Sequence, residues 1–327
     1  MRALVLRPDG PAVETRPLEA RPGEALLRPT VGGVCATDLE LMKGYMGFEG
    51  VLGHEWVGVV ERADDSALVG QRVVGDINCP CLICPTCLAG RRTHCPHRTV
   101  LGIQGRDGAF AQALHLPESN LHVVPDAVSD EAAVFVEPLA AAIEILEQVH
   151  VRPTDSVVVL GVGRLGQLCA RVLALTGAQV RGISRNSSRL ELLPASVGRA
   201  TLKELTAELD DPSRANQSRA DLVVDCTGNP DGLALATRLV RPRGTLVLKT
   251  TTHDLGSASP VPWVIDELTL VGSRCGPFAP ALRMLAAGLV DPTPLISANF
   301  PLTDGVAALA RAAERDAVKV LLRLQEA

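Results

Sequence analysis

Three glycines constrain this chain more than any other feature. Gly161, Gly163 and Gly166 form G-x-G-x-x-G directly after the apolar run SVVVL, where RLGQLCARVLALTG begins. An apolar run that meets such a turn and continues into an amphipathic stretch reads as a buried parallel strand entering a helix. The first glycine allows the tight turn, the second lets the backbone approach a pyrophosphate, and the third brings helix against sheet. The helix N-terminus adds free N–H groups and the positive end of a dipole, both suited to phosphate. With Arg164 and Leu165, the turn is a candidate dinucleotide cradle.

The second strand, QVRGIS at 179–184, should end at the residues that choose the cofactor. An Asp or Glu there would hold a ribose 2′-OH. This chain instead has Ser184, Arg185, Asn186, Ser187, Ser188 and Arg189. A 2′-phosphate would find guanidinium and hydroxyl donors and no carboxylate repulsion. NADP is favoured on that ground. NAD stays open, because the same residues also suit a solvated loop.

Further strands are expected at 221–228, 244–251 and 268–276, alternating with helices. That alternation predicts right-handed βαβ units and a doubly wound parallel sheet, an α/β fold. Residues 1–130 read differently. Short β-branched runs at 57–61, 71–76 and 121–126 are punctuated by Gly, Pro and Asp, the pattern of an irregular, mostly antiparallel β unit. A helix is expected over 131–149, another near 303–315, and a last strand, KVLLRL, at 319–324. The length of 327 residues suits about two domains. Net charge is −5 with no basic block, which speaks against nucleic acid and anionic membranes as partners. No apolar run approaches the roughly 18 residues of a membrane span. The opening MRALVLRPDG is too short in apolar residues for a signal peptide, so a cytoplasmic location is expected.

Nine cysteines, an odd number, argue against a disulfide scaffold. Cys81, Cys84, Cys87 and Cys95 have the form C-x2-C-x2-C-x7-C. Four thiolates this close suit tetrahedral zinc, and with every position filled by sulfur the site would be structural. Cys79 is a spare thiol that could compete for a ligand position. A dispersed set is weaker on its own: Cys35 in GVCATD, His54 and Glu55 in GHE, and Glu137 in VEPLA.

GVCATD, LGHEWVG, the four-cysteine lobe, EPLA and GVGRLG follow one another along nearly the whole chain. In that order they resemble the zinc-containing medium-chain alcohol dehydrogenase family. Glu137 in EPLA is similar to the polyol, threonine and glucose dehydrogenase branch. The resemblance implies a mostly β, GroES-like catalytic domain over 1–136 and 278–327, and a Rossmann cofactor domain over 137–277. It places the active site in a cleft at the carboxyl ends of the parallel strands. It implies two zinc ions per subunit, one structural and one catalytic. The catalytic ion would be held by Cys35, His54 and either Glu55 or Glu137. Zinc would stabilise an alkoxide, which gives its hydride to the nicotinamide.

The same resemblance implies that Thr37 bonds the reacting oxygen. Glu40 either extends the proton relay or is a surface carboxylate. The turns Cys226–Gly228, with Thr227, and Gly272–Arg274, with Ser273, are expected near the cofactor. Lys43, Tyr45 and Trp56 are candidates for the pocket lining, Trp56 equally for the core. Ala36, Asp64 and Leu82 depart from the family pattern without removing a ligand. The strand at 268–272 is expected to pair with a second copy, giving a homodimer or homotetramer. The substrate would be a small alcohol or carbonyl: a polyol, sugar or secondary alcohol. The alternative is a non-catalytic member that binds nicotinamide nucleotide for a sensory or structural role.

Overall fold

A computed structural model describes residues 1–214, 218–251 and 256–325. The chain divides into two compact units, one built from Met1–Glu137 and the residues from Phe278 onward, the other from Pro138–Pro277.

The first unit holds two main sheets. Arg2–Arg7 lies between Gly10–Thr15 and Gly50–Val51, antiparallel to both. The larger sheet runs Leu121–Val123, Arg72–Gly75, Glu55–Arg62, Ala25–Gly33, Lys319–Arg323, Ile296–Pro301, with Leu114–Leu116 also paired to Ala25–Gly33. Alternate burial along Ala25, Leu27, Pro29 and Val31 explains why that segment is a strand with one face in the core. Register sets Gly33 opposite Glu55 on one side and Leu321 on the other. Leu4, Leu52, Phe110, Leu309 and Leu322 fill the core beside it. Gly53 has φ +97°, and a Cβ there would lie 2.3 Å from the Phe110 ring, so glycine is required just before His54.

The helix expected over 131–149 is two helices, Asp130–Ala133 and Val136–Gln148. Pro138 is the reason. It has no N–H to give, so it is accommodated only in a first turn, and a new helix starts just before it.

The second unit carries a six-stranded, all-parallel sheet. Its order is Gly198–Thr201, Gln179–Ser184, Ser156–Leu160, Ala220–Asp225, Val240–Leu248, Thr269–Gly272. In chain order this is 3-2-1-4-5-6, the doubly wound arrangement. The strand Gly198–Thr201 was not foreseen. It is an edge strand with only Ala200 buried, so it lacks the apolar run that marks its neighbours. Val158, Leu160, Ile183, Val223 and Leu246 form the core. At the opposite edge, Thr269–Gly272 is largely exposed, and the short helix Val261–Ile265 buries none of its residues.

Candidate functional site

Cys35 follows the strand Ala25–Gly33 and caps the helix Ala36–Leu41. The Asp38 carboxylate accepts the Cys35 backbone N–H at 2.8 Å, which fixes the turn. His54 directly precedes the adjacent strand and Glu55 opens it. One ligand atom each from Cys35, His54 and Glu55 lies within 4.8 Å of the others. His54, Glu55 and Asp38 are buried. The second oxygen of Asp38 is 3.4 Å from His54 Nδ1, which turns Nε2 away from that carboxylate. Glu55 forms a buried ion pair with Lys319, whose ammonium also stands 5.2 Å above the Phe135 ring. A Cβ at Gly33 would lie 3.0 Å from the Glu55 carboxylate and 2.5 Å from Val134, so this position has room only for glycine.

The site is crowded with charge. Burial works against a charged His54, but Asp38 and Cys35 outweigh it and hold its pKa well above the usual value. Glu137 keeps part of its surface open, and it stands outside the 4.8 Å set. Desolvation still pushes it up to about 7; His54 pulls it down and Glu55 pushes it further up. Cys35, Asp38, Glu55 and Glu137 can each carry a negative charge, against Lys319 and the imidazole. Such a buried excess of anionic S and O donors around an imidazole suits a divalent metal. The structure thus brings Cys35, His54 and Glu55 together and sets Glu137 beside them. It adds Asp38 and Lys319, which sequence reasoning missed. Asp38 was visible in GVCATD, three residues after the cysteine, while Lys319 had only its place in a terminal strand as a signal.

Thr37 Oγ1 lies 3.7 Å from Cys35 Sγ. Glu40 and Lys43 form a 2.7 Å surface ion pair with both side chains more than half exposed, which matches the surface-carboxylate alternative for Glu40. Trp56 is buried and touches the Gly75 position, so it belongs to the core rather than to a pocket lining. Tyr45 packs against the Leu4–Phe110 core. Ala36 opens its helix, and the Asp64 N–H is bound by Glu118.

The lobe collects its four sulfurs locally. Cys81–Cys95 and Cys84–Cys87 are 3.5 Å apart and Cys84–Cys95 3.8 Å, and all four ligand atoms lie within 4.8 Å of one another. Burial opposes a thiolate at Cys95, but the backbone N–H of Cys81 and of His97 bring it down to about 6. Burial and its neighbouring sulfurs push Cys87 up to about 12. Four convergent sulfurs fit a closed S4 zinc site. Leu82 takes φ +63°, the left-handed conformation for which the family pattern uses glycine. Cys79 does not compete. It pairs with Thr99 in a separate ribbon, lies against the Asn120 amide, and burial pushes its thiol up to about 11.

The glycine turn has the geometry its spacing requires. Gly161 has φ +89°, and a Cβ at Gly166 would be 2.0 Å from the Gly161 carbonyl oxygen. The helix Arg164–Ala174 starts at Gly163 with no side-chain cap, so its first-turn N–H groups remain for an anion. A Cβ at Gly163 would sit 3.1 Å from the Arg189 guanidinium, which therefore overhangs the turn; Leu165 follows inside that helix. Ser184 Oγ accepts the Asn186 N–H at 3.0 Å, and Asn186 caps Ser187–Glu191. Arg185, Thr201, Leu202, Lys203 and Thr206 line an open cavity of about 420 Å³. Lys203 is a second cation there that the sequence reading did not single out. It lies in the first turn of the helix Leu202–Asp210, far from the glycine turn in sequence.

Register aligns Leu160, Ile183, Asp225, Leu248 and Gly272 along one edge of the sheet. Thr227, which bonds Asp225 at 2.8 Å, and Ser273, whose N–H bonds Leu248 O, therefore stand on the same edge as the glycine turn.

A nucleotide-binding sheet and a buried S, N, O donor set together define a metal-assisted, dinucleotide-dependent oxidoreductase. Comparison with known proteins agrees. Residues 21–126 match the alcohol dehydrogenase GroES-like domain, and residues 165–287 match the zinc-binding dehydrogenase domain. L-galactonate-5-dehydrogenase of Escherichia coli K12 is 28% identical over 306 residues, covering 90% of this chain and 88% of that one. A short chain alcohol dehydrogenase (rspB) from E. coli CFT073, complexed with NADH, has a TM-score of 0.88 at 26% identity and covers 99% of each chain. A Sinorhizobium meliloti 1021 protein bound to NADP has a TM-score of 0.89 at 26% identity, covering 98% of each chain. The chain belongs to the zinc-containing medium-chain alcohol dehydrogenase family, and its chemistry is hydride transfer between an alcohol or carbonyl and a nicotinamide cofactor.

Proposed function

We propose that the protein oxidises a secondary alcohol of a polyol or sugar acid, or reduces the matching ketone, with NADP(H) as the favoured cofactor. The observation that carries this reading is the buried convergence of Cys35, His54 and Glu55, oriented by Asp38 and Lys319. Bound there, zinc would supply Lewis acidity that lowers the pKa of an alcohol, and the nicotinamide would accept the hydride. The chain's own residues do the rest. Asp38 holds the His54 ring in one orientation and clamps the Cys35 turn. Lys319 occupies one oxygen of Glu55, and Glu137 offers the second carboxylate for the alternative third ligand. The Thr37 hydroxyl, 3.7 Å from Cys35 Sγ, is a group able to hold a proton in transit.

The open first turn at Gly163 supports pyrophosphate binding; Arg185, Arg189 and Lys203 support a 2′-phosphate. The four-thiol lobe supports a second, structural zinc. The substrate class follows the relative that acts on L-galactonate. The exposed strand Thr269–Gly272, with Val264 and Ile265 bare beside it, supports a homodimer joined along that edge. Among the described residues no helix is long and apolar enough to cross a membrane, and a cytoplasmic site of action is part of this proposal.

Elemental analysis of zinc per subunit, combined with fluorescence titration by NADPH and NADH, tests the reading. Two zinc ions and tighter NADPH binding are expected. A single zinc that survives Cys35→Ser and is lost on Cys84→Ser would overturn it.

A further inference from the structure

Two sulfurs that belong to neither candidate zinc set lie beneath the glycine turn. Cys169 is buried on the helix Arg164–Ala174. Cys226 follows the strand Ala220–Asp225 and keeps part of its surface exposed. Their Sγ atoms are 3.9 Å apart, with the Cys226 thiol donating to Cys169. Lys249 stands by them, its ammonium bonded to the carbonyls of Ala141 and Arg274 and its charge acting on both sulfurs. The Cys226 bond draws the Cys169 thiol down against its burial, with help from Lys249. The pair is thus two sulfurs in contact, one of them on a residue that keeps part of its surface exposed.

The pair is mechanically joined to the turn. The Cys226 N–H bonds the carbonyl of Leu160, the residue before Gly161, at 2.9 Å. A Cβ at Gly161 would lie 2.9 Å from the Cys226 carbonyl, and one at Gly166 would lie 3.4 Å from Cys226 Cβ. A disulfide needs its sulfurs at about 2.05 Å. Closing the gap draws on side-chain rotation at Cys169 and Cys226, and any strain that remains falls on the Cys226 backbone and the cradle helix, against which Gly161 and Gly166 are packed.

We propose that Cys169 and Cys226 form a redox modification site, a dithiol that hydrogen peroxide converts to a disulfide, and that this bridge weakens dinucleotide binding at the adjoining turn. The second half rests on the reading of that turn as the cofactor cradle. One sulfur attacks the peroxide O–O bond, becomes a sulfenic acid and releases water. The other sulfur then displaces a second water from it, forming the S–S bond. Two thiols lose two electrons and two protons, and one peroxide takes up both.

The test uses the zinc-loaded full chain. It is treated with hydrogen peroxide, its free thiols are alkylated, and its peptides are mapped by mass spectrometry. NADPH is titrated by fluorescence before treatment, after it, and after dithiothreitol. A Cys169–Cys226 linked peptide and a several-fold, reversible rise in the NADPH Kd are expected. Cys169→Ala and Cys226→Ala, made in parallel, should show no peroxide-dependent change in Kd. Both cysteines remaining alkylatable, bridges confined to Cys81, Cys84, Cys87 or Cys95, or irreversible sulfinic acid would overturn the site. A mapped bridge with an unchanged Kd would overturn its coupling to the cofactor. If the reduced protein binds neither NADPH nor NADH, the cradle reading fails, while the peptide map still decides whether the couple exists.

Discussion

The four-thiol lobe and the Cys35 centre gather their donors in opposite ways. The lobe takes every donor from one short segment, Cys81 to Cys95, and its sulfurs need only local turns to converge. The other centre draws on Cys35, on His54 and Glu55 at the start of the neighbouring strand, on Glu137, and on Lys319 in a strand far along the chain. A uniform local set fills all four positions around a metal and so has no place for a substrate. A mixed set from distant strands leaves a position for water or substrate, and it needs partners that hold each ligand. On the function proposed above, the contrast separates a brace from a reaction centre.

Four changes would sharpen or break that contrast. His54→Ala should lower kcat/KM by at least about 10³-fold, since the metal contributes several kcal/mol of charge stabilisation. Elemental analysis should then find the lobe zinc retained, and loss of both ions together would show that the centres are not independent. Next comes Lys319→Met. It strands the buried Glu55 carboxylate and should cost about 3–5 kcal/mol in denaturant unfolding of metal-free protein. Lys319→Met with Glu55→Gln should recover part of that, and an unchanged midpoint in the single variant would refute the ion pair. Asp38→Asn should lower zinc affinity or activity about 10–100-fold, with the lobe unaffected. The smallest effect belongs to the lobe. Leu82→Gly should relieve a left-handed backbone and raise stability by no more than about 1 kcal/mol. A loss of lobe zinc in that variant would show that the side chain matters more than the φ angle.

The same contrast explains what could be read before the structure was known. The glycine turn, the parallel strands around it and the S4 lobe were legible, because each is written in contiguous residues. Cys35, His54, Glu55 and Glu137 became a set only through the family resemblance. Spacing alone does not tell that Gly33 faces Glu55 across a sheet. The ion pair of Glu55 with Lys319 was out of reach, because its partners are joined by tertiary folding across most of the chain. Cys79 looked like a spare ligand for the complementary reason: nearness in sequence concealed a separate ribbon. The split at Pro138 was missed because apolar residues continue across it, from Val134 and Phe135 to Leu139 and Ile143, and the polar edge strand Gly198–Thr201 because its apolar pattern is weak.

The position of Lys319–Arg323 has a consequence for synthesis. This segment enters the sheet between Ala25–Gly33 and Ile296–Pro301. The ribosome therefore delivers this central strand long after its neighbour Ala25–Gly33. Residues 138–277 emerge as one contiguous block whose strands pair among themselves, so that unit can close while translation continues. The first unit must wait with a gap in its sheet and with Glu55 lacking its cation. During that interval the nascent chain carries an open β edge, a row of unpaired N–H and C=O groups of the kind that templates pairing with another chain.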